Sequence, residues 1–302
     1  MKVLVTGGNG FIGSWVARLL LEEGHDVRVF DSHDDRTLFH DIVGTLENRP
    51  VDRFVGDIAD AKTVDEAVDG CDAIVHLAGL LLPTCREDPV EGARVNVLGT
   101  LYVFEAARKR KLAGGIAYAS SAAVFGPDDG VTPHPSNHYG AYKLCNEGNA
   151  RAYWVDAGVR SVGFRPWTVY GPGRWYGVTA GPTLAMRAAA EGRAYTIPFT
   201  GRTGMNFVTD VAAAFVRGAT QPPNDAPAFS LAGDVASTDD IITAIRSVVP
   251  GAQITAAGNP LPIAPVLDEG NLDSVFPDLP RTPLRDGTQR TIEFYRSFVK
   301  QT

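Results

Sequence analysis

Cysteine is scarce in this sequence, and long apolar runs are missing from it. The 302 residues include only Cys71, Cys85 and Cys145, without Cys-x-x-Cys spacing, so neither a disulfide framework nor a metal site is expected. We expect all three to be small side chains in buried or half-buried positions. No apolar run approaches the length of a membrane span, and strand-like sequence begins directly after Lys2, which leaves no room for a signal peptide. These features predict a cytoplasmic protein with no membrane partner.

Basic residues are fewer than acidic ones. The 28 lysines and arginines face 35 aspartates and glutamates, which gives a formal net charge of -7 and an isoelectric point near 5.4. Because nucleic acids and anionic membranes attract basic surfaces, this balance disfavours both as partners, and no basic run reverses it. The 44% hydrophobic content suits a globular protein of one large domain, or of one large and one smaller domain.

A glycine-rich turn near the N-terminus joins an apolar run to an amphipathic segment. Residues 3–6 are apolar or β-branched, and residues 11–20 place apolar side chains at helical spacing. Gly7 and Gly10 let the backbone turn and approach a pyrophosphate, and Gly13 lets the helix pack closely on the strand. The N-terminus of that helix offers free N–H groups to phosphates. The segment therefore predicts a strand, a tight loop and a helix that bind a dinucleotide.

An acidic residue follows the second predicted strand. That strand spans residues 27–30 and ends at Asp31, about twenty residues past the glycines, where a dinucleotide fold places its ribose-binding acid. A carboxylate there accepts hydrogen bonds from the hydroxyls of the adenine ribose and repels a 2′-phosphate. The predicted cofactor is therefore NAD rather than NADP. The neighbouring His33 and Arg36 leave NADP open as an alternative.

Strand-like and helix-like segments alternate through the first half of the chain. Predicted strands at 53–57, 73–79, 115–120 and 161–165 are separated by predicted helices at 38–46, 61–68, 89–110 and 139–157, with a loop at 80–88. No internal repeat or low-complexity linker interrupts them. This order predicts an α/β fold with a doubly wound parallel Rossmann sheet, whose ligands bind at the carboxyl ends of the strands.

Several positions on these segments are candidates for supporting a cofactor site. Asp57 either contacts the adenine or caps the helix at 61–68. The small residues Ala78 and Gly79 suit a chain that passes beneath a cofactor. His76 lies inside an apolar run and is expected to be a core or supporting histidine. Asn96 is a poor helix former without a partner, so we expect it to make a structural hydrogen bond near the active centre.

Hydroxyl, phenol and ammonium groups come together after the fifth predicted strand. Ser120 and Ser121 stand at its carboxyl end, where this architecture places reacting groups. Tyr139 and Lys143 follow in a predicted helix, and their spacing of four residues puts both on one face. Tyr142, adjacent to the lysine, must point elsewhere.

Tyr139 and Lys143 together suit general-base catalysis. A phenol has a pKa of about 10, and bringing it toward 7 requires roughly 4 kcal/mol. An ammonium about 4 Å away, at an effective dielectric of about 20, supplies energy of that order. The pair is predicted to take a proton from a substrate hydroxyl held by Ser121 while a hydride passes to nicotinamide. The alternative is that Tyr139 is an ordinary aromatic at a helix start and Lys143 a solvated charge.

These motifs belong to a longer series between residues 6 and 174. The series is Thr6-Gly-Gly-Asn-Gly-Phe-Ile-Gly13, Asp31, Asp57-Ile58, His76-Leu-Ala-Gly79, Val95-Asn-Val-Leu-Gly-Thr100, Ser120-Ser121, Val124-Phe-Gly126, Tyr139 to Lys143, and Arg165-Pro-Trp-Thr-Val-Tyr-Gly-Pro-Gly-Arg174. Together they resemble an extended short-chain dehydrogenase/reductase of the NAD-dependent epimerase/dehydratase family. The resemblance implies Ser121 as the catalytic hydroxyl, Tyr139 as the base, and Lys143 as the lysine that binds the ribose and lowers the pKa of the tyrosine. The family more often has a small hydroxyl residue where Tyr142 stands.

The resemblance also implies a domain division and a set of contacts. Residues 1–166 with about 207–232 are expected to form the NAD-binding domain, and about 167–206 with 233–302 a small substrate lobe. The implied cofactor contacts are Gly7, Gly10, Phe11, Ile12, Gly13, Asp31, Asp57, Ile58, Leu77, Ala78, Gly79, Asn96, Tyr139, Lys143 and Pro166. The implied substrate contacts are Ser121, Ala122, Thr168, Arg174 and Trp175. A homodimer through the helices at 89–110 and 139–157 is also implied.

Aromatic residues crowd the crossing between the two implied lobes. Trp175 and Tyr176 either line a sugar-sized pocket or pack the lobes together, whereas Tyr170 is expected to serve packing. Beyond them, helices are predicted at 183–191, 211–218 and 286–299, and a strand at 229–231.

Residues at two further sites indicate which reaction of such enzymes this protein catalyses. Similar dehydratases carry an acid pair directly after the catalytic hydroxyl, and here Ala122 and Ala123 stand there, which disfavours dehydration. Similar nucleotide-sugar epimerases place a diphosphate-binding arginine where this chain has Thr203, with Arg202 one residue away. This difference predicts a smaller, nucleotide-free polyhydroxylated substrate.

A second phosphate-binding arginine is expected late in the small lobe. Arg281 and Arg285 are available, but neither lies in a recognisable motif. Three hypotheses follow: epimerisation of a sugar-like alcohol with NAD retained, an NAD-dependent dehydrogenase of a free sugar, sugar acid or small polyhydroxy alcohol, and a non-catalytic NAD-sensing protein. The family resemblance favours the first.

Overall fold

The computed structural model describes residues 1–44, 46, 49–262, 264 and 267–299. The strands of this part of the chain are β1 (Lys2–Thr6), β2 (Asp26–Asp31), β3 (Val51–Val55), β4 (Ala73–His76), β5 (Ile116–Ala119), β6 (Ser161–Pro166), β7 (Thr168–Tyr170), β8 (Tyr195–Ile197), β9 (Arg202–Phe207), β10 (Ala228–Leu231), β11 (Asp234–Ser237) and β12 (Ile254–Ala256). Its helices are α1 (Phe11–Glu22), α2 (Thr37–Val43), α3 (Ala61–Val68), α4 (Leu82–Glu87), α5 (Pro89–Ala93), α6 (Gly99–Arg110), α7 (His138–Ala157), α8 (Gly181–Ala190), α9 (Val208–Thr220), α10 (Thr238–Val248), α11 (Leu272–Val275) and α12 (Leu284–Val299).

Seven strands form a parallel central sheet in the order β10-β6-β5-β4-β1-β2-β3. The chain winds outward from β1 through β2 to β3, then returns to β4 and winds the other way, which opens a crevice at the carboxyl ends of β1 and β4. The prediction of an α/β fold with a doubly wound parallel Rossmann sheet is confirmed.

Alternating side chains bury both faces of this sheet. On β1, Val3 and Val5 point into one core while Leu4 points into the other, and all three are fully buried. Helices α1 and α9 pack together on the first face, and α3 and α6 pack together on the second. A strand covered on both faces requires a continuous apolar run, which explains why β1 shows no polar alternation.

Two smaller sheets lie outside the central sheet. One has the order β11-β9-β7, and the other pairs β12 with β8. All five of these strands follow residue 166 in the chain, whereas β10 rejoins the central sheet beside β6. The boundaries of the substrate lobe stay a prediction, and its positions 263, 265, 266 and 300–302 lie outside the described residues.

Some predicted bounds differ from the structure. The helix predicted at 38–46 ends at Val43, and Thr45 lies outside the described residues. The third strand lies two residues earlier than predicted, at Val51–Val55. The predicted loop at 80–88 contains α4, because Pro83 suits the first turn of a helix and Cys85 is buried beneath it. Cys145 is exposed, unlike Cys71 and Cys85, because it lies on the outer face of α7.

The long helix predicted at 89–110 is interrupted by a wider, π-type turn at Arg94–Leu98. In that turn the Asn96 carbonyl accepts hydrogen bonds from Thr100 Oγ1 at 2.7 Å and from Asn146 Nδ2 of α7 at 2.8 Å. Such turns occur often at functional sites. Within the described part of the chain, no helix is both long and apolar enough to cross a membrane.

Candidate active site

A cleft of about 1120 Å³ opens at the carboxyl ends of the central strands. Its wall includes residues that directly follow or end β1, β2, β4, β5 and β6, together with residues from α2, α7, α8 and α12. They include Gly7, Gly10, Phe11, Ile12, Gly13, Asp31, Leu77, Gly79, Ser120, Tyr139, Lys143, Pro166, Arg174, Trp175 and Tyr176. Most of the predicted cofactor contacts therefore share one cavity with the predicted base.

The glycines of the first loop let backbone segments lie closer together than side chains would allow. Gly7 has a φ of +66°, and a Cβ on it would lie 2.9 Å from the Ala78 nitrogen. A Cβ on Gly13 would lie 2.2 Å from the Gly7 carbonyl oxygen. Gly10 begins α1 without a side-chain cap, so the first N–H groups of the helix stay available to an anion. This cradle fits the pyrophosphate of a dinucleotide.

The carboxylate of Asp31 faces the same cleft at the end of β2. It accepts a hydrogen bond from the backbone N–H of Asn9 at 3.0 Å, which ties it to the glycine loop. Arg36, which left NADP open as an alternative, donates to the Asp34 carboxylate at 2.6 and 2.7 Å. Because that guanidinium already has an acidic partner, the surroundings of Asp31 favour ribose hydroxyls over a 2′-phosphate.

Close packing brings Tyr139 and Ser121 together. Asn137 caps α7 by accepting a hydrogen bond from the Gly140 nitrogen at 2.9 Å, which places Tyr139 in the first turn. A Cβ on Gly140 would lie only 2.3 Å from the Ala123 carbonyl, so α7 begins in contact with the turn that follows β5. The Ser121 hydroxyl lies near the Tyr139 phenol and favours its ionised form, and Ser121 Oγ also accepts a hydrogen bond from the Ala123 nitrogen at 3.2 Å.

Lys143 lies beneath Tyr139 on the same face of α7. Its side chain is almost fully buried, and Nζ donates a hydrogen bond to the Ala119 carbonyl at 2.7 Å. The ammonium lies 5.5 Å from the centroid of the Tyr139 ring. Gly79 forms the floor here, since a Cβ on it would lie 3.8 Å from Nζ and 2.5 Å from Asn96 Oδ1. Tyr142 points away, as predicted, and donates to the Pro89 carbonyl at 2.7 Å.

The electrostatics of the pair differ from the prediction. Burial lowers the pKa of Lys143 to about 8. Burial also raises the pKa of Tyr139, and the Ser121 hydrogen bond opposes this only in part. The sequence-based prediction placed the ammonium about 4 Å from the phenol with nothing opposing it. In the structure Nζ is directed to the Ala119 carbonyl, and burial is the largest influence on the pKa of the phenol.

The sequence did not predict an ionic cluster that lies beneath the site. Glu147 lies one turn after Lys143, and its carboxylate accepts from Arg165 Nε at 2.7 Å and Nη2 at 2.5 Å. The same carboxylate accepts from Ser120 Oγ at 2.5 Å. The four-residue spacing of Lys143 and Glu147 was a signal of a shared face, but their targets on β5 and β6 were not apparent.

A second polar network supports the floor of the cleft. His76 is buried and bonded to Thr6 Oγ1 at 2.7 Å and to Thr100 Oγ1 at 3.0 Å, so it is the supporting histidine that was expected. Burial lowers its pKa to about 3, which keeps the ring neutral. Asn96 makes the expected structural hydrogen bonds, because its side chain accepts from the Leu80 N–H and donates to the Leu80 carbonyl, at 3.0 and 3.1 Å.

Asp57 does not have the capping role that was considered for it. Asp60 caps α3 instead, by accepting from the Lys62 nitrogen at 3.0 Å. The Asp57 carboxylate accepts from the Ala59 nitrogen at 2.9 Å and pairs with Arg94 at 2.7 Å. Its side chain is therefore already bonded, and contact with an adenine stays a prediction.

Other predicted contacts lie behind the cleft wall. Thr168 is fully buried, and its hydroxyl bonds to that of Thr203 at 2.7 Å, so it differs from the expected substrate contact. The reason is that β7 and β9 pair side by side and turn these hydroxyls toward each other. Ile58, Ala78 and Ala122 are also placed behind the surface residues of the cleft, the first and third of them buried.

Aromatic and cationic side chains form the other end of the cleft. Trp175 and Tyr176 are 65% and 53% exposed, with ring centroids 5.8 Å apart. Their exposure at the cleft supports a role in lining the pocket rather than in packing. Tyr170 is fully buried and serves packing, as predicted. Arg174, which precedes Trp175, also lines the cleft, and it is half-buried with its Nε fully buried.

Comparison with known proteins identifies the family to which this chain belongs. The sequence model of the NAD dependent epimerase/dehydratase family matches residues 3–232. The UDP-glucose 4-epimerase of Mycolicibacterium smegmatis is 29% identical over 314 residues, which span 98% of this chain and 99% of that protein. An uncharacterized 37.6 kDa protein of Escherichia coli O111:H- is 29% identical over 352 residues, which span 99% of this chain and 100% of that protein.

A solved structure agrees with the sequence comparison. The crystal structure of Thermus thermophilus UDP-glucose 4-epimerase in complex with NAD has a TM-score of 0.82 and is 25% identical, covering 98% of this chain and 99% of that chain. The family match runs from β1 to the end of β10 and includes the glycine loop and the Tyr139 helix. It confirms the resemblance and, for the family, the dependence on NAD. The chain belongs to the NAD dependent epimerase/dehydratase family.

Proposed function

We propose that this protein removes a hydride from a secondary alcohol of a sugar or sugar-like substrate, using NAD, with epimerisation as the net reaction. The observation that carries this proposal is that Tyr139 and Lys143 line the same cleft as the glycine loop, with the Ser121 hydroxyl near the phenol. The names of similar proteins, UDP-glucose 4-epimerases among them, favour epimerisation over other hydride reactions.

The residues that would hold NAD lie along the first half of the cleft. The helix-starting loop of Gly7, Gly10 and Gly13 would take the pyrophosphate, Asp31 the adenine ribose, and Lys143 the nicotinamide ribose. When bound, NAD accepts the hydride and can return it. The positive charge of bound NAD would favour the ionised form of the phenol, in addition to the charge of Lys143.

The protein's own groups would handle the proton. Ser121 holds the substrate hydroxyl, and the Tyr139 oxygen takes its proton as the carbon loses a hydride and becomes a ketone. Return of a hydride to the opposite face, with the proton from Tyr139, gives the epimer. Ala122 and Ala123 are apolar and largely buried, so no acid stands where elimination of water would need one.

A dehydrogenase that releases the ketone or lactone is the second candidate, supported by where the arginines lie. Arg281 is already paired with Glu269 and Asp273, at 2.8 and 2.7 Å. Arg202 and Arg285 are exposed, and neither they nor Arg281 belongs to the cleft wall. A substrate without a diphosphate fits this arrangement, as the sequence predicted.

Assembly as a homodimer through the helices at 89–110 and 139–157 is part of the same proposal. Leu98 and Val155 are exposed apolar residues on these helices, at 43% and 68%. Burial of such side chains would favour the association.

The test is absorbance at 340 nm with purified protein, NAD, and a panel of sugars, sugar acids and nucleotide sugars, followed by NMR of the products. Tyr139→Phe serves as the inactive control. A stereoisomer without net NADH supports the epimerase, and NADH accumulation supports the dehydrogenase. Lack of turnover with every substrate would overturn both and favour an NAD-sensing protein.

A further inference from the structure

Arg174 is a cleft guanidinium that lacks an acidic partner among the described residues. Its Nη2 donates to Thr179 Oγ1 at 2.8 Å, but its buried Nε has no hydrogen-bond partner. Arg187, the other arginine of the cleft wall, is paired with Glu191 at 2.8 Å. Arg174 as a whole is half-buried, and a partly desolvated cation without a counter-charge is costly unless an anion binds it.

The loop after Arg174 is shaped around the guanidinium. Thr179 Oγ1 accepts a hydrogen bond from the guanidinium, and Gly177, with a φ of +105°, lies close to Nη2. A Cβ on Gly177 would lie 3.3 Å from that nitrogen, closer than most side chains allow. The guanidinium also stacks 5.7 Å from the ring of Phe11 at the start of α1. These contacts hold the side chain in one direction without neutralising it.

The surroundings of Arg174 place its charge next to the reacting groups. Tyr139 lies within electrostatic range of the guanidinium and favours its charged form. Burial lowers the pKa of Arg174 to about 10, so the group remains a cation at neutral pH. An anion bound there would lie between the base and the aromatic residues Trp175 and Tyr176.

The number of cations indicates the kind of anion. Lys143 is bonded to the Ala119 carbonyl and is assigned above to the nicotinamide ribose, and Arg187 is paired with Glu191. Arg174 is therefore the guanidinium of the cleft wall that has no acidic partner among the described residues, and its Nε–H is free. One planar guanidinium matches one carboxylate, through two parallel hydrogen bonds. A diphosphate would call for further cations, whereas the pyrophosphate of the cofactor has the N-terminus of α1.

We propose that Arg174 binds a carboxylate of the substrate, so that this enzyme acts on a sugar acid. The proposal rests on the proposed hydride transfer and names the substrate class for it. Arg174 selects the acid over the corresponding neutral sugar and orients it against Tyr139.

The test measures binding without turnover. Tyr139→Phe protein saturated with NAD is titrated by calorimetry with glucuronate and glucose, and with UDP-glucuronate and UDP-glucose. In at least one pair the acid should bind about 10- to 100-fold more tightly, since a hydrogen-bonded charge pair contributes that much. Arg174→Gln should abolish the difference, and Arg174→Lys should retain only part of it. Arg187→Gln, which removes an already paired guanidinium from the same cleft, should preserve the difference.

Each other outcome overturns the proposal. Equal binding of acid and neutral sugar in both pairs would exclude carboxylate selection. Equal weakening of both UDP-sugars by Arg174→Gln would assign the guanidinium to a diphosphate, and weakened NAD binding alone would assign it to the cofactor. A large fall in the Tm of Arg174→Gln without ligands would show a structural role, because removal of an unpaired buried charge should leave the Tm unchanged or higher. Failure of turnover both in absorbance at 340 nm and in product NMR would instead overturn only the proposed function.

Discussion

Glu147 and Arg165 form a buried, two-pronged ion pair directly beneath the candidate active site. The two hydrogen bonds measure 2.7 and 2.5 Å, and the side chains are only 9% and 16% exposed. Ser120, at the end of β5, donates to the same carboxylate. The ion pair therefore ties α7, which carries Tyr139 and Lys143, to both β5 and β6.

Loss of this carboxylate should be strongly destabilising. Glu147→Gln leaves Arg165 buried beside a neutral amide, and we expect the free energy of unfolding in urea to fall by about 3 kcal/mol or more. Glu22→Gln is the matched control, since its carboxylate pairs with Arg18 at 2.9 Å and the two side chains are 40% and 37% exposed. There we expect a change of about 0–1 kcal/mol. Similar losses of unfolding free energy in the two variants would show that the buried ion pair stabilises the protein no more than an exposed one.

Gly140 and Gly148 allow a paired test of helix placement, because both lie in α7. Gly140→Ala would press a methyl group against the Ala123 carbonyl, 2.3 Å away, and displace Tyr139 from Ser121. We expect lower stability and a large loss of turnover. Gly148 is exposed with no atom within 4 Å of a Cβ, so Gly148→Ala should stabilise the protein by about 1 kcal/mol. Equal activity of the two variants would contradict this placement of Tyr139.

Phenylalanine variants of two tyrosines in α7 distinguish a catalytic role from a structural one. Tyr139→Phe should lower kcat by about 100- to 10,000-fold, because a general base is lost, while the Kd for NAD changes little. Tyr142→Phe loses only the hydrogen bond to the Pro89 carbonyl and should retain turnover. The measurements are NADH absorbance or product NMR, with NAD titration by calorimetry. Retained turnover in Tyr139→Phe would remove this residue from the mechanism.

The buried ammonium of Lys143 predicts a stability that depends on pH. Its pKa in the folded protein is about 8, below the unfolded value of about 10.4, so the unfolded state binds more protons between these limits. The contribution of Lys143 to stability should therefore rise with pH from about 8 to 10.4, by about 3 kcal/mol in total.

Comparison with Lys143→Met isolates this contribution. Both proteins also carry Cys85→Ala, because the Cys85 thiol and the Lys143 ammonium shift each other's pKa. The contributions of the other titrating groups cancel to a good approximation when the unfolding free energy of the protein with Lys143→Met is subtracted from that of the protein with Lys143. A difference that stays constant from pH 8 to 10.4 would mean that the ammonium is better solvated than its position suggests.

Local sequence patterns were sufficient to predict the main elements of the fold. Gly7, Gly10 and Gly13 follow an apolar run and precede a helical one, and such a pattern depends only on backbone geometry and periodicity. The four-residue spacing of Tyr139 and Lys143 likewise fixed their shared face before any tertiary contact was known. The helix α4 was missed because its six residues carry too little periodicity, and its stability comes from burial of Cys85.

By itself, the sequence determined the doubly wound sheet and the glycine loop and acidic residue, Asp31, that are typical of NAD binding, and it predicted Ser121, Tyr139 and Lys143 as the catalytic residues. Only the tertiary structure decided which polar groups meet across distant segments. Thr168 is bonded to Thr203 rather than facing the cleft, and Arg174 is enclosed without an acidic partner among the described residues. It also decided that burial raises the pKa of Tyr139. Periodicity is a property of neighbours along the chain, whereas pairing and hydration depend on what folding brings together in space.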